Sequence, residues 1–221
     1  MGRNMLNHNV RGIVFDCYNT LLDVKAKESS MSTYERLSNW LLYKGVRINP
    51  EELRNKYTGK IMDRFGRSEH EHPEIRVEEV FAEICRENAF WNIDEGHLGF
   101  EAAQVFRSSA IRHLDVFPQS SKLLENLKHM PMCIVSNGQR AFSEFELKFL
   151  GLYDYFDFVI FSSDFGYRKP DTRLFQTAVE WMGLEPWEVL SIGDQPNNDI
   201  YPPESIGMRG MHIHEAWKRY T

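Results

Sequence analysis

The sequence predicts an α/β fold: a parallel sheet interrupted by an inserted all-helical block. Two observations carry this. The apolar runs Ile13–Phe15, Met132–Val135, Phe158–Phe161 and Val189–Ile192 lack polar alternation, the pattern of strands buried on both faces of a parallel sheet. The last three are separated by amphipathic segments of helical length, the alternation expected of βαβ units. Between the first run and the others, a block of about ninety residues shows helical periodicity and no convincing strand.

Taken in order, residues 1–9 are polar, carry no apolar leader core and read as a loose tail. The first strand ends at Asp16. Asn19 follows, one of the few non-glycine types that tolerates positive φ in a tight turn. Ligands of open α/β sheets bind beyond the carboxyl ends of the strands, so Asp16 is a functional candidate; the competing reading is a helix cap. Tyr34, Leu37, Leu41 and Leu42 share one helical face, closed by Gly45. Pro50 opens a second helix with Leu53 and Tyr57 inward. Residues 64–75 are polar and read as a loop. Val77, Val80, Phe81 and Ile84 mark a third helix. Ala102, Val105 and Phe106 mark a fourth, running to about Leu114.

From Asp115 the alternation returns. Pro118 opens a helix carrying Leu123, Leu124 and Leu127, then comes strand 132–135. A helix from Arg140 to Leu150 is expected to bury the stripe Phe142, Phe145 and Phe149 before Gly151 stops it. Strand 158–161, a helix over 172–182 ending at Gly183, strand 189–192 and a strand near Met211–Ile213 complete the order. Pro202-Pro203 permits only a late or short helix after Asp199.

The bulk numbers narrow the class. At 221 residues the chain suits a core with a modest insert. A net charge of −6 argues against a nucleic-acid partner. No run approaches the ~18 apolar residues of a membrane helix. Cys17, Cys85 and Cys133 are odd in number and lack metal-ligand spacing, so they read as free thiols in a reducing cytoplasm. His70-Glu71-His72 sits in a polar loop with no partner motif and reads as solvated. His212 and His214 flank the last strand and read as edge residues. Trp40 and Trp91 read as packing residues.

Four clusters follow strand-like runs in order: Asp16-x-x-x-Thr20, then Ser136-Asn137-Gly138, then Lys169 before Pro170, then Gly193-Asp194 with Asp199 downstream. Together they resemble the haloacid dehalogenase-like hydrolase superfamily, in its helical-cap subgroup. The resemblance implies a Rossmann-like core of residues 1–22 and 115–221 with a cap over 23–114. It implies Asp16 as a nucleophile that forms a covalent ester. Mg²⁺ would be held by Asp16, Asp194 and the Tyr18 backbone carbonyl, with Asp199 behind or on a metal water. Thr20, Ser136, Asn137 and Lys169 would hold the transferring group of a small phosphorylated substrate.

One residue departs from the phosphatase pattern. The phosphatases of the family carry a second Asp two positions after the nucleophile, as general acid and base; here that place is taken by Tyr18. A phenol with pKa near 10 is a poor base at neutral pH. The family's dehalogenases do carry Tyr there, because halide leaves without a proton. They also use no metal and need a cap arginine, for which Arg36 and Arg47 are candidates. Gly193-Asp194 is the metal-binding form. The expected function is therefore a Mg²⁺-dependent phosphatase, slow and favouring good leaving groups. A dehalogenase-type C–X hydrolase is the alternative, and a weakly catalytic protein that binds phosphometabolites or a partner is the third.

Overall fold

The computed structural model describes residues 9–221; the tail expected over residues 1–8 lies outside them. Five parallel strands form one sheet: β1 (Gly12–Phe15), β4 (Met132–Ser136), β5 (Phe158–Phe161), β6 (Val189–Gly193) and β7 (Arg209–His212), in the order β5-β4-β1-β6-β7. β1 is central, with Phe15 in register with Ile134 on one side and Ile192 on the other. Its continuous apolar run follows from its position. Ile13 and Phe15 pack into one layer with Leu123, Leu124 and Leu127 of α5 (Pro118–Leu127) and Ala216 of α9 (Ile213–Tyr220). Val14 faces the other layer, with Leu174, Phe175 and Ala178 of α7 (Arg173–Met182). A strand sealed on both faces has no position for a polar residue until it reaches the sheet edge.

The insert is built from α1 (Met31–Tyr43), α2 (Pro50–Arg67), α3 (Val77–Asn88) and α4 (Glu95–Ala110). Tyr34, Tyr57, Phe81 and Phe106 meet at its centre, with Tyr57 stacked on Phe81 at 4.9 Å. Gly45 closes α1 at φ +81, where a side chain would strike the Trp91 ring. Leu42, expected inward, is instead more than half exposed, because α1 buries only a narrow stripe against α2 and α4. α2 continues through Gly66 to Arg67, so the expected loop is confined to the residues after it.

The insert is not purely helical between residues 23 and 114. α4 stops at Ala110, and β3 (Ile111–Val116) pairs antiparallel with β2 (Leu22–Ala26), Leu22 opposite Val116 and Val24 opposite Leu114. Both crossings between sheet and helical block thus form one two-stranded ribbon. Ile111 and Leu114 read in sequence as the last turn of an amphipathic helix. Their backbone groups are satisfied by a strand roughly ninety positions away, which local periodicity does not report.

α6 (Arg140–Phe149) corrects a second expectation. Phe145 and Phe149 are 53% and 80% exposed; the buried residues are Ala141, Ser143, Glu146 and Leu147. Phe142 packs partly against the helical insert. The phenylalanine stripe is therefore not the core stripe, because α6 turns two polar side chains inward for reasons found at the site. α8 (Tyr201–Ser205) is short, as the two prolines require, and follows a wide helical turn over Pro196–Ile200. The three cysteines are free and buried. No helix among the described residues is long and apolar enough to cross a membrane.

Candidate active site

The carboxyl ends of β1, β4 and β6 deliver the site. Asp16 is the first residue beyond β1, pinned by its amide to the Ile192 carbonyl at 2.9 Å. The chain then turns tightly, with Asn19 at φ +60 and the Leu21 and Leu22 amides both donating to the Cys17 carbonyl. This turn returns Thr20 to Asp16. Its hydroxyl donates to Asp16 Oδ2 at 2.9 Å, with Asp194 Oδ1 at 3.4 Å. Thr20 is therefore an orienting residue.

Lys169 is fully enclosed, and its ammonium donates to Asp16 Oδ1, Asp199 Oδ1 and the Val135 carbonyl at 2.7, 2.7 and 2.8 Å. Asn137 holds the Lys169 backbone from both sides, Nδ2 on the Lys169 carbonyl at 3.0 Å and Oδ1 on the Lys169 amide at 2.7 Å. The Asn137 amide is thus largely committed to placing the lysine. Asp199 is nearly inaccessible; its second oxygen accepts from the Gln195 amide. It approaches so closely that a Cβ on Gly193 would lie 2.3 Å from its own Cβ, which is the physical requirement for glycine before Asp194.

Ser136 Oγ is buried and has no hydrogen-bond partner among the described residues. It borders, with Asp16, Asn137, Lys169, Asp194, Gln195 and Asn198, a cavity of about 230 Å³. A buried hydroxyl left unpaired is costly, and this one lines the same cavity as Asp16.

Asp16, Asp194 and Asp199 bring carboxylate oxygens within 4.8 Å of one another. The three carboxylates share one ammonium, paired with Asp16 and Asp199, which leaves surplus negative charge in the cluster. Burial pushes the Asp16 carboxyl up to about 6, although Lys169 pulls it back and Asp199 adds to the rise. Asp194 is also raised, by burial and then by Asp199. Burial alone would lower Lys169, but Asp16 and Asp199 more than offset it and hold the ammonium charged. An all-oxygen donor set with excess negative charge suits a hard divalent cation such as Mg²⁺.

Tyr18 turns its hydroxyl away from any proton shuttle. It donates to Glu146 Oε2 at 2.7 Å and shares a 2.7 Å hydrogen bond with Ser143 Oγ, both on α6. Burial, followed by Cys17 and Glu146, pushes the phenol well above its usual range. Glu146 is in turn clamped by Arg107 of α4, Nε to Oε1 at 2.6 Å and Nη2 to Oε2 at 3.2 Å. Arg107 Nη1 reaches Glu28 at 2.8 Å, and its guanidinium lies over the Tyr18 and Phe142 rings. Tyr18 is a fixed wall of the site. Arg107, Glu146, Ser143 and Glu28 escaped sequence reading. The one available signal was Glu146, an acid beside the expected core stripe of α6.

Of the cap arginines considered from sequence, Arg36 and Arg47 are exposed and line no part of this cleft. His70 lies apart, against Tyr167 and Arg173. Trp91 is 61% exposed at the far end of the helical block.

Fold and site together define an α/β protein with an aspartate-centred polar cluster at the carboxyl edge of its sheet. Residues 10–207 match the family model described as haloacid dehalogenase-like hydrolase, and the chain belongs to that family. It is 30% identical over 111 residues to a glyceraldehyde 3-phosphate phosphatase of Methanocaldococcus jannaschii, 49% of each chain. The chain thus spans about half the length of such curated relatives. Among solved structures, a 2-haloacid dehalogenase from Pseudomonas syringae pv. Tomato DC3000 superposes with TM-score 0.65 at 24% identity, covering 91% of this chain and 85% of that one. A HAD phosphatase from Thermococcus onnurineus superposes with TM-score 0.56 at 25% identity, again covering 91% and 85%.

Proposed function

We propose that this protein is a Mg²⁺-dependent phosphatase of small phosphate monoesters, acting through an aspartyl-phosphate on Asp16. The observation that carries this reading is the cluster of three carboxylates of which only two, Asp16 and Asp199, are paired with the single ammonium of Lys169. A phosphate dianion entering such a site meets repulsion that a divalent cation relieves, and Asp16, Asp194 and the Tyr18 carbonyl are the groups to hold that cation. The cation would supply charge neutralisation and orientation of the phosphoryl group. Asp199, with both oxygens already engaged by Lys169 and Gln195, acts from behind by fixing the lysine.

The chain's own residues account for the rest. An Asp16 oxygen attacks phosphorus as the leaving alkoxide departs, and water later cleaves the acyl phosphate. Lys169 stabilises the transferring oxygens by charge. Ser136 supplies the hydroxyl donor that now lacks a partner, and Thr20 keeps the nucleophile aimed. Tyr18 keeps its proton, donated in a hydrogen bond to Glu146, so the alkoxide leaves without its help. That favours acidic leaving groups and predicts aryl phosphates ahead of alkyl phosphates.

The dehalogenase alternative rests on Tyr18, and the tie of its hydroxyl to Glu146 is equally compatible with a leaving group that needs no proton. The surplus negative charge favours the metal-dependent reading, because a halide-releasing site has no use for it. The test is hydrolysis of para-nitrophenyl phosphate with Mg²⁺ and then with excess EDTA. We expect turnover that EDTA abolishes. Turnover indifferent to EDTA, or halide release from 2-haloacids in its place, would overturn the proposal.

A further inference from the structure

A second cavity of about 310 Å³ opens beside the first and shares Tyr18, Asn19 and Asn137 with it. Its remaining walls come from the ribbon (Val24, Ala26), the linker to α1 (Glu28), α4 (Arg107) and the β4–α6 turn. A phosphoryl group held at Asp16 leaves this cavity as the room for the rest of the substrate.

Its charges are unevenly spent. Arg107 is the one cation on the wall among the described residues, and its side chain is only 9% exposed. Glu146 takes two of its nitrogens and Glu28 takes a third. Two carboxylates therefore oppose one guanidinium. Glu28 is 47% exposed on its side chain, and its second oxygen has no protein donor among the described residues. Of the three side-chain amides on the wall, two are already engaged: Gln139 binds the Val77 amide and Glu74, and Asn137 holds the Lys169 backbone. An anionic substituent reaching for Arg107 in this cavity would meet the Glu28 carboxylate beside it. A cationic one would meet an open carboxylate oxygen.

We propose that Glu28, held in place by Arg107, sets substrate choice, so that the protein takes phosphate esters whose leaving group carries an ammonium or neutral polar end and excludes those carrying a second anion. This rests on the phosphatase reading of Asp16. A carboxylate at the mouth of the cleft selects by attraction and by repulsion alike. Glu28 is a specificity residue in this account and has no part in bond making.

The test uses phenyl phosphates whose para arm ends in ammonium, methyl or carboxylate. The charge is set two carbons from the ring, so that the leaving phenols are equally acidic. In the unmodified protein kcat/KM should fall in the order ammonium, methyl, carboxylate, by about tenfold per step, the size of one partly solvated charge contact. The differences should lie in KM. Glu28→Gln should flatten the order or invert it, with kcat on the methyl compound within about twofold, a pattern that a merely structural loss does not produce. An unmodified protein that hydrolyses para-nitrophenyl phosphate but ranks the carboxylate arm equal or first overturns this proposal and leaves the phosphatase reading intact. A charge order retained in Glu28→Gln also overturns it, by removing Glu28 as its cause. If para-nitrophenyl phosphate itself is not hydrolysed, both readings fall together.

Discussion

Asp16 is held in a condition that costs the fold stability and serves the chemistry. Burial raises its carboxyl to about 6, against 3.8 for the free side chain. A folded-state value above the unfolded one means that the folded protein binds the proton more tightly. That contribution is fully present below the unfolded value and is lost as pH rises through about 6. At neutral pH the ionised carboxylate therefore weighs against the metal-free fold. Asp16→Asn should abolish turnover and, without metal, raise Tm at pH 7.5 relative to the parent. The gain should shrink towards pH 4, and thermal scans at the two pH values read it. An Asp16→Asn protein less stable than its parent at pH 7.5 would mean that the ion pair with Lys169 outweighs the burial.

At the scale of elements, the outer face of the insert is tied by a ladder of ion pairs. Lys56, Lys60 and Arg64 are spaced four apart on α2; Glu79, Glu83 and Glu87 are spaced four apart on α3. Lys60 sits at the centre, 2.6 Å from both Glu83 and Glu87. Its hydrogen bonds hold both glutamates below their ordinary value of 4.5. Their contribution is thus present above that value and lost as pH falls through the lowered ones. These groups are partly solvated, so Lys60→Met should cost no more than about 1 kcal/mol. The loss should shrink in high salt and at pH 3, as chemical denaturation would show.

The elements also show where periodicity misleads. The α6 stripe Phe142, Phe145 and Phe149 has a regular helical spacing, yet the buried face carries Ser143 and Glu146. Those two are drawn inward by Tyr18 and Arg107, which lie far away in the chain. A hydrophobic pattern reports which face is apolar, and at this helix burial is decided by the polar partners waiting beneath it. β3 was lost to α4 for a related reason: a short, half-exposed strand carries little local signal.

For the molecule as a whole, two polar clusters among the described residues help to fasten the insert to the sheet. In one, Glu74 accepts from Gln139 and Ser162 while the Glu74 amide donates to Gly166 and the Arg168 amide to His72. In the other, the Arg107–Glu146 pair is almost wholly buried. Removing one partner of such a pair leaves an uncompensated charge and costs about 3–5 kcal/mol. Glu146→Ala should therefore be among the most destabilising changes away from the apolar core, and equilibrium unfolding measures it. It should also free the Tyr18 ring, so any surviving enzyme loses discrimination between leaving groups. An unfolding free energy within about 1 kcal/mol of the parent would show that Arg107 finds water or Glu28 sufficient.

The sequence by itself determined the central sheet and the polar row along its edge. Strands sealed on both faces must be uniformly apolar, and the polar residues that end them must lie where the sheet meets solvent. Asp16, Ser136, Lys169 and Asp194 were legible for that reason, as was the turn at Asn19. Only the tertiary structure decided what surrounds them. The β2–β3 ribbon, the inward polar face of α6, the use of Asn137 to hold Lys169, and the Tyr18–Glu146–Arg107–Glu28 chain all join residues distant in sequence. Each is fixed by the pairing of one buried polar group with another. Such pairing has no period, so it leaves no pattern along the chain.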